Sequence, residues 1–504
     1  MHRRTFSAPH FAKGIVTSLV TRIVTCGAAL AATLAATLAA TLAHADPTLI
    51  ATAAIDGHYE DFADATKAPL ENGVPGNRLG GMGSGLAYAG GDTFLALPDR
   101  GPNAVPFDSA IDDTASYIPR FHTLHMTLAP SDAGAALPFT LTPFVVDTTL
   151  LSSPTPLVYG TGAGLGVGSG APALNARGTY YFSGRSDNFD PSRSSSNPNN
   201  ARLDPESIRV SFDRKTVFVS DEYGPYVYQF DRASGKRVRA YRLPEKFAVP
   251  NQSPQGAVEI SGNTVGRIAN KGMEGLAITP DGRTLYGAMQ SPLEQDGGTN
   301  AGYTRIVRID VGTGLVKEIA YPLTNIGSAS KPKYGTVSDI VAINDTELLV
   351  DERDGKGLGD GSNAAEKVAY HIDVSQAADV GNVAGEANLA PLAVAKTQFL
   401  DIVAVLTANG ITADNIPAKL EGFAFGPDVE LDGTTKHTLF VANDNDFLGT
   451  VGGKPNPSQY FVFAFDDADL PAGSRGFVAQ RFLETRCDGS PWKSFGDGCD
   501  DRQH

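Results

Sequence analysis

A carboxylate that returns at the same place in a repeated hairpin pattern constrains this chain more than any other feature. Between Asp204 and Leu243, four short runs rich in β-branched and aromatic residues are separated by the turn residues Asp213, Gly224, Pro225 and Gly235. The runs are Ile208–Phe212, Thr216–Ser220, Tyr226–Phe230 and Val238–Leu243. Four antiparallel strands in about forty residues make one propeller blade.

The unit recurs along the chain. Glu206-Ser207-Ile208 is answered by Glu274-Gly275-Leu276, Asp339-Ile340-Val341 and Glu421-Gly422-Phe423, and more distantly by Ser84-Gly85-Leu86. Each is followed by a second signature, acidic in every copy but the one after Glu274. These are Asp99-Arg100-Gly101-Pro102, Asp221-Glu222-Tyr223-Gly224-Pro225, Gln290-Ser291-Pro292, Asp351-Glu352-Arg353-Asp354-Gly355 and Asn443-Asp444-Asn445-Asp446. The fifth copy is stretched by an insertion at 429–436. Two short strands joined by a tight turn form an antiparallel hairpin, so the first residue of one lies beside the last residue of the other. The leading and trailing acids of a repeat therefore share one edge of its blade. With the first strands innermost, these edges collect at one mouth of a central channel.

The expected fold is all-β: a six-bladed β-propeller of four-stranded antiparallel blades, with a few peripheral helices and long loops. Five blades are traceable, and a sixth is expected within residues 150–200. That stretch holds glycine-rich and Asn/Ser/Pro-rich loops and a hairpin signal near Thr179–Ser183. Thr48–Ile55 is a candidate closing strand. Thr397–Ala408 has helical spacing and is expected to pack outside the ring.

Residues 1–45 are set apart. Arg3, Arg4 and Lys13 precede an apolar run to about Leu42, and Ala43-His44-Ala45 is a small-residue cleavage site before Asp46. A cleaved leader and a secreted or periplasmic location are expected, with a retained amino-terminal anchor as the competing reading. Arg3-Arg4-Thr5-Phe6 also resembles a twin-arginine leader. The propeller then occupies 46–486 as one domain, because propellers grow by adding blades, and 487–504 is a tail. Without the leader, 37 basic residues face 56 acidic ones, a formal charge of −19. That balance argues against nucleic acid or anionic membrane as partner. Cys487 and Cys499 are the cysteines left, and in an oxidising compartment they are expected to form a disulfide.

Several motifs together resemble the bacterial "esterase-like activity of phytase" proteins. They are L-G-G-M-G-S-G-L-A-Y from Leu79, D-P-E-S-I from Asp204, S-D-E-Y-G-P from Ser220, N-K-G-M-E-G-L-A from Asn270 and A-M-Q-S-P-L from Ala288. S-D-I-V-A-I from Ser338, L-V-D-E-R-D-G from Leu349 and K-L-E-G-F-A-F from Lys419 continue the match. The resemblance implies a phytase-like β-propeller and an exported ester or phosphoester hydrolase. Ser84 and Gln290 depart from the pattern by replacing carboxylates.

Oxygen-rich acids without accompanying His or Cys suit calcium, which takes six to eight hard ligands. The candidate ligands are Glu206, Asp221, Glu222, Glu274, Asp339, Glu352, Glu421 and Asp444. Glu274 is also a candidate catalytic group, and Arg100 and Arg353 are candidate clamps for an anionic substrate oxygen. Against this, acids at strand ends commonly cap turns, and either arginine can serve only its acidic neighbour. No G-x-S-x-G elbow or H-E-x-x-H pair occurs. His122 and His125 sit in a predicted strand on opposite faces, which favours packing over zinc. A sugar-lactone hydrolase and a non-catalytic scaffold with structural calcium remain alternatives, because the fold hosts all three.

Overall fold

The computed structural model describes residues 47–103, 114–160 and 170–483. The expected leader and the Cys487–Cys499 pairing lie outside these residues. Strand β1 is Thr48–Ile55, and blade 1 comprises β2 (Gly85–Gly90), β3 (Thr93–Leu97), β4 (Arg120–Pro130) and β5 (Phe139–Leu150). A two-stranded ribbon of β6 (Ser152–Ser153) and β7 (Tyr180–Tyr181) follows. Blade 2 is β8 (Pro205–Val210), β9 (Thr216–Asp221), β10 (Tyr226–Asp231) and β11 (Arg237–Arg242). Blade 3 is β12 (Met273–Ile278), β13 (Thr284–Met289), β14 (Tyr303–Asp310) and β15 (Val316–Pro322). Blade 4 is β16 (Thr336–Ala342), β17 (Glu347–Arg353), β18 (Lys367–Asp373) and β19 (Lys396–Asp401). Blade 5 has β20 (Leu420–Phe425) innermost, with β21 (Val429–Leu431) as a side hairpin on β22 (Thr434–Asn443). After a small ribbon of β23 (Thr450–Val451) and β24 (Lys454–Pro455), β25 (Ser458–Phe465) continues the blade. Its outer position is filled by β1, which pairs antiparallel with β25.

The ring therefore closes by uniting the two ends of the propeller in one sheet, which removes an open edge. The innermost strands follow one another around the axis: β2 packs on β8, β8 on β12, β12 on β16, β16 on β20, and β20 on β2. A closed cycle of five leaves no place for another blade, so the expectation of six is corrected to five. The described residues of 150–200 instead form the β6–β7 ribbon and loops, with Ser152 bridged to Lys236 at the outer edge of blade 2.

Five blades bring the inner strands close together, which explains the glycine in the E-G-Φ repeat. A Cβ on Gly275 would lie 2.9 Å from the Asp339 backbone, and one on Gly422 would lie 2.9 Å from the Gly83 carbonyl oxygen. Only a residue without a side chain fits there. In blade 2 the same position is Ser207, whose hydroxyl donates to Asp339 Oδ1 at 2.9 Å.

The helical spacing at 397–408 resolves into two elements. Residues Lys396–Asp401 supply the outer strand of blade 4, and the helix runs only Ile402–Ala408, capped by the Asp401 side chain accepting from the Ala404 amide. Demand for a fourth strand overrides the local period. Ile402 and Leu406 bury against the blade 4–blade 5 core.

Candidate functional site

The hairpin register brings the repeat acids to one face. Pro205 pairs with Asp221, Leu420 with Asn443, and Thr336 with Arg353. At the acid itself the inner strand of blades 2 to 5 carries a bulge, between Pro205 and Ile208, Met273 and Gly275, Val337 and Ile340, and Leu420 and Gly422. A bulge re-aims the side chain it contains. Here it allows a carboxylate to leave the alternation of its strand.

Three carboxylates of blade 2 converge most tightly. Asp204, Glu206 and Glu222 are buried, and each offers an oxygen within 4.8 Å of the others. Glu274 from blade 3 acts on Glu206 of this group: it is 4% exposed, and its Oε2 is buried without a hydrogen-bond partner among the described residues. Its charge and that of Glu222 interact strongly. Asp99 from blade 1 and Glu421, Asp444 and Asp446 from blade 5 extend the ring.

Cations are interleaved but fewer. Arg100 donates to Asp204 through its amide (3.2 Å) and Nη1 (2.7 Å). Lys419 bridges Asp444 and Asp446, each at 2.6 Å. Arg353 pairs with Glu421 and donates from Nε to Ser338 Oγ at 2.6 Å. Lys271 donates to Gln290 at 3.1 Å, where the repeat has lost its acid. Eight carboxyls thus face four basic groups. Burial pushes Glu222 up to about 7, with Asp204 adding to the effect. Burial likewise raises Glu206, Glu274 and Asp99 well above the carboxylate range, reinforced by Glu274, Glu222 and Asp444 respectively.

Five expected ligands, Glu206, Glu222, Glu274, Glu421 and Asp444, therefore belong to this ring. The other three have different partners. Asp221, raised by burial to about 7, holds the turn after β9 by accepting from the amides of Asp204, Tyr223 and Gly224. Glu352 accepts from Tyr321 Oη (2.5 Å), the Thr324 amide (2.8 Å) and Lys396.

Asp339 fills the channel axis. Both its oxygens accept from Arg209 Nη2, at 2.9 and 2.8 Å, and it also accepts from Ser207 Oγ and the amides of Leu276 and Phe423. Arg209 Nη1 in turn donates to the Leu86 carbonyl at 2.7 Å. This one ion pair touches all five blades.

Three acids of the ring, Asp99, Asp204 and Asp446, and the buried Asp351 were not among the expected ligands. Asp204 stands two residues before the repeat acid, outside the recurring position, although D-P-E carries it in plain view. Asp351 shares a strand face with Arg353, and is fully buried with neither oxygen partnered among the described residues. Strand alternation, which sets Asp351 and Arg353 together and Glu352 opposite, was the available signal. His122 is buried as a packing group, with Nδ1 3.0 Å from Thr148 Oγ1, whereas His125 lies exposed beside Asp92.

A cavity of about 580 Å³ is lined by Arg100 and Asp446 of the ring together with Tyr223, Arg202 and Arg267. No helix among the described residues is long and apolar enough to cross a membrane.

A family model described as phytase-like, esterase-like activity of phytase, matches residues 77–447. An uncharacterized secreted protein of Arthroderma benhamiae is 31% identical over 266 residues, covering 46% of this chain and 49% of that protein. The chain thus spans about half the length of the curated relative it matches. Among solved structures, a periplasmic gluconolactonase of Pseudomonas aeruginosa aligns over 82% of this chain and 98% of its own, at 15% identity and TM-score 0.30. An aldose sugar dehydrogenase of Streptomyces coelicolor aligns over 83% and 94%, at 12% identity and TM-score 0.30.

Proposed function

The chain belongs to the phytase-like family, and from that premise we propose that it is an exported hydrolase cleaving a phosphoester or carboxylic ester at the propeller mouth, with calcium held by Asp204, Glu206, Glu222 and Glu274. The observation that carries the reading is the convergence of buried carboxylates in excess of cations. Oxygens within 4.8 Å of one another are close enough for any two to share an ion at a Ca–O distance of about 2.4 Å, and the third stands within the same reach of both. The unpartnered Glu274 Oε2 supplies a further hard donor, and the donor set has no His or Cys that would favour zinc.

Bound there, calcium would polarise the substrate oxygen and make water more acidic. The protein's own groups do the rest. Glu274, whose proton affinity is raised by burial and by Glu222, accepts the proton of the attacking water at the carboxylate oxygen that does not hold the ion. Arg100, fixed to Asp204, lines the cavity and orients a carbonyl or phosphoryl oxygen. Arg353 positions Glu421 and does not line the cavity. Export is supported by the leader expected over 1–45 and by the secreted description of the Arthroderma benhamiae relative.

The test is elemental analysis of the purified protein together with phosphate release from phytate and turnover of chromogenic carboxylic esters, with and without a calcium chelator. Turnover that stops on chelation and returns with calcium is expected. Turnover that survives exhaustive chelation overturns the mechanism. A fall in Tm on chelation with no hydrolysis at any stage makes the ion structural.

A further inference from the structure

We infer that the cavity beside the carboxylate ring binds a small molecule carrying one anionic group on an apolar body. At about 580 Å³ the cavity is in the range of small-molecule sites. Its lining holds two buried guanidinium groups, Arg202 and Arg267, which pair with the same carboxylate, Glu259. Burial opposes ionisation of Glu259, yet Arg267 and Arg202 outweigh it and hold the group below its usual range. The two guanidiniums therefore outnumber the one carboxylate that pairs with them directly.

The arginines are fixed before any ligand arrives. Arg267 donates from Nε (3.1 Å) and Nη2 (2.9 Å) to the Tyr223 carbonyl. Arg202 lies between the rings of Phe189 and Tyr223, 4.6 and 4.8 Å from their centroids, and donates from Nη1 to the Ser186 carbonyl. Its Nε is buried with no partner among the described residues. A buried surplus cation is costly, and an anionic ligand relieves it.

Asp221 and Glu222 also act on these arginines, but neither lines the cavity. Arg100 pairs with Asp204, and Asp446 shares Lys419 with Asp444, so among the groups that line the cavity Arg100, Arg202 and Arg267 stand against Glu259 and Asp446. The lining also supplies the apolar groups of Val74, Pro102, Pro254, Phe447 and Leu448. One spare charge and this apolar surface fit a carboxylate or phosphate monoester with an aromatic or aliphatic body, and do not fit a polyanion. That this ligand is the substrate rests on the hydrolase reading, whereas its binding does not.

The experiment is isothermal titration of the full chain in chelator, so that neither metal nor turnover enters. The probes are 4-nitrobenzoate, its neutral counterpart 4-nitroanisole, and myo-inositol hexakisphosphate. The wild-type protein is expected to bind the monoanion at least about tenfold more tightly than either other probe, a difference of about 1.4 kcal/mol. Arg267→Gln should erase that preference. Glu259→Gln, which adds to the positive surplus, should tighten the monoanion further, the reverse of what loss of a merely structural carboxylate would do. Equal binding of the neutral probe, preferred binding of the hexakisphosphate, or weakening in a folded Glu259→Gln variant overturns the inference. If hydrolysis is never found but the monoanion still binds selectively, the hydrolase reading fails and this one stands.

Discussion

Replacing Asp339 by Asn probes the ion pair on which the five inner strands meet. The variant leaves Arg209 buried and uncompensated, and breaking a buried pair from one side costs about 3–5 kcal/mol. It also turns one oxygen into an N–H donor. If that donor faces the Phe423 amide, which now donates to Oδ2 at 2.9 Å, that amide loses its acceptor, worth about 1–3 kcal/mol. The sum, roughly 4–8 kcal/mol, is a large part of the about 5–15 kcal/mol that holds a typical domain together. Arg209→Met should cost less, about 3–5 kcal/mol, since Asp339 keeps its Ser207, Leu276 and Phe423 donors. Urea unfolding of both single variants and the double variant, in calcium and in chelator, measures these terms. The double variant should cost at least about 2 kcal/mol less than the sum of the singles, as contacting residues do. The calcium-dependent gain in stability should survive in Asp339→Asn. Costs below about 1 kcal/mol for both singles refute the structural role. Selective loss of the calcium-dependent gain would restore Asp339 as a ligand.

Other outcomes follow from the same structure. Glu274→Gln should abolish calcium-dependent turnover while shifting the Tm of the calcium-loaded protein little, measured by paired activity and thermal scans. Burial holds His122 down to about 3 against an ordinary value of 6.5, so the unfolded chain takes up a proton that the folded one refuses. Its stabilisation is present above pH 6.5 and is lost as pH falls toward 3, by about 1.4 kcal/mol per unit; His122→Phe should flatten that part of the acid-unfolding curve. Gly275→Ala should destabilise by at least about 2 kcal/mol, because its Cβ meets the Asp339 backbone at 2.9 Å, and a neutral result in urea would mean the inner strands are looser than described. Deleting residues 46–55 should expose β25 as an open edge and give a protein that self-associates in light scattering.

Much of the propeller was legible because a hairpin is a local object. Turn residues and short β-branched runs mark it, and the register across it follows from the turn. The shared edge for Glu206, Glu274, Glu421 and Asp444 came from that logic. The same logic failed for Asp339 and Glu352, since the repeat gives a residue its place along a strand but not the face that a bulge or a neighbouring blade assigns to it. Asp339 points down the axis because Arg209, a long way off in sequence, waits there. Glu352 turns away to Lys396 and Tyr321.

From its amino acids alone the chain was committed to antiparallel four-stranded blades, to an acid at the inner corner of most of them, and to a surplus of negative charge. Those properties depend on residues near one another in sequence, where alternation and turn chemistry act directly. The number of blades, the exclusion of Asp339 from the mouth, the recruitment of Asp204 and the cationic wall made by Arg202 and Arg267 were decided only when the ring closed. They depend on how closely the inner strands approach and on which buried charges find each other across blades, and such distances are fixed by packing around the axis.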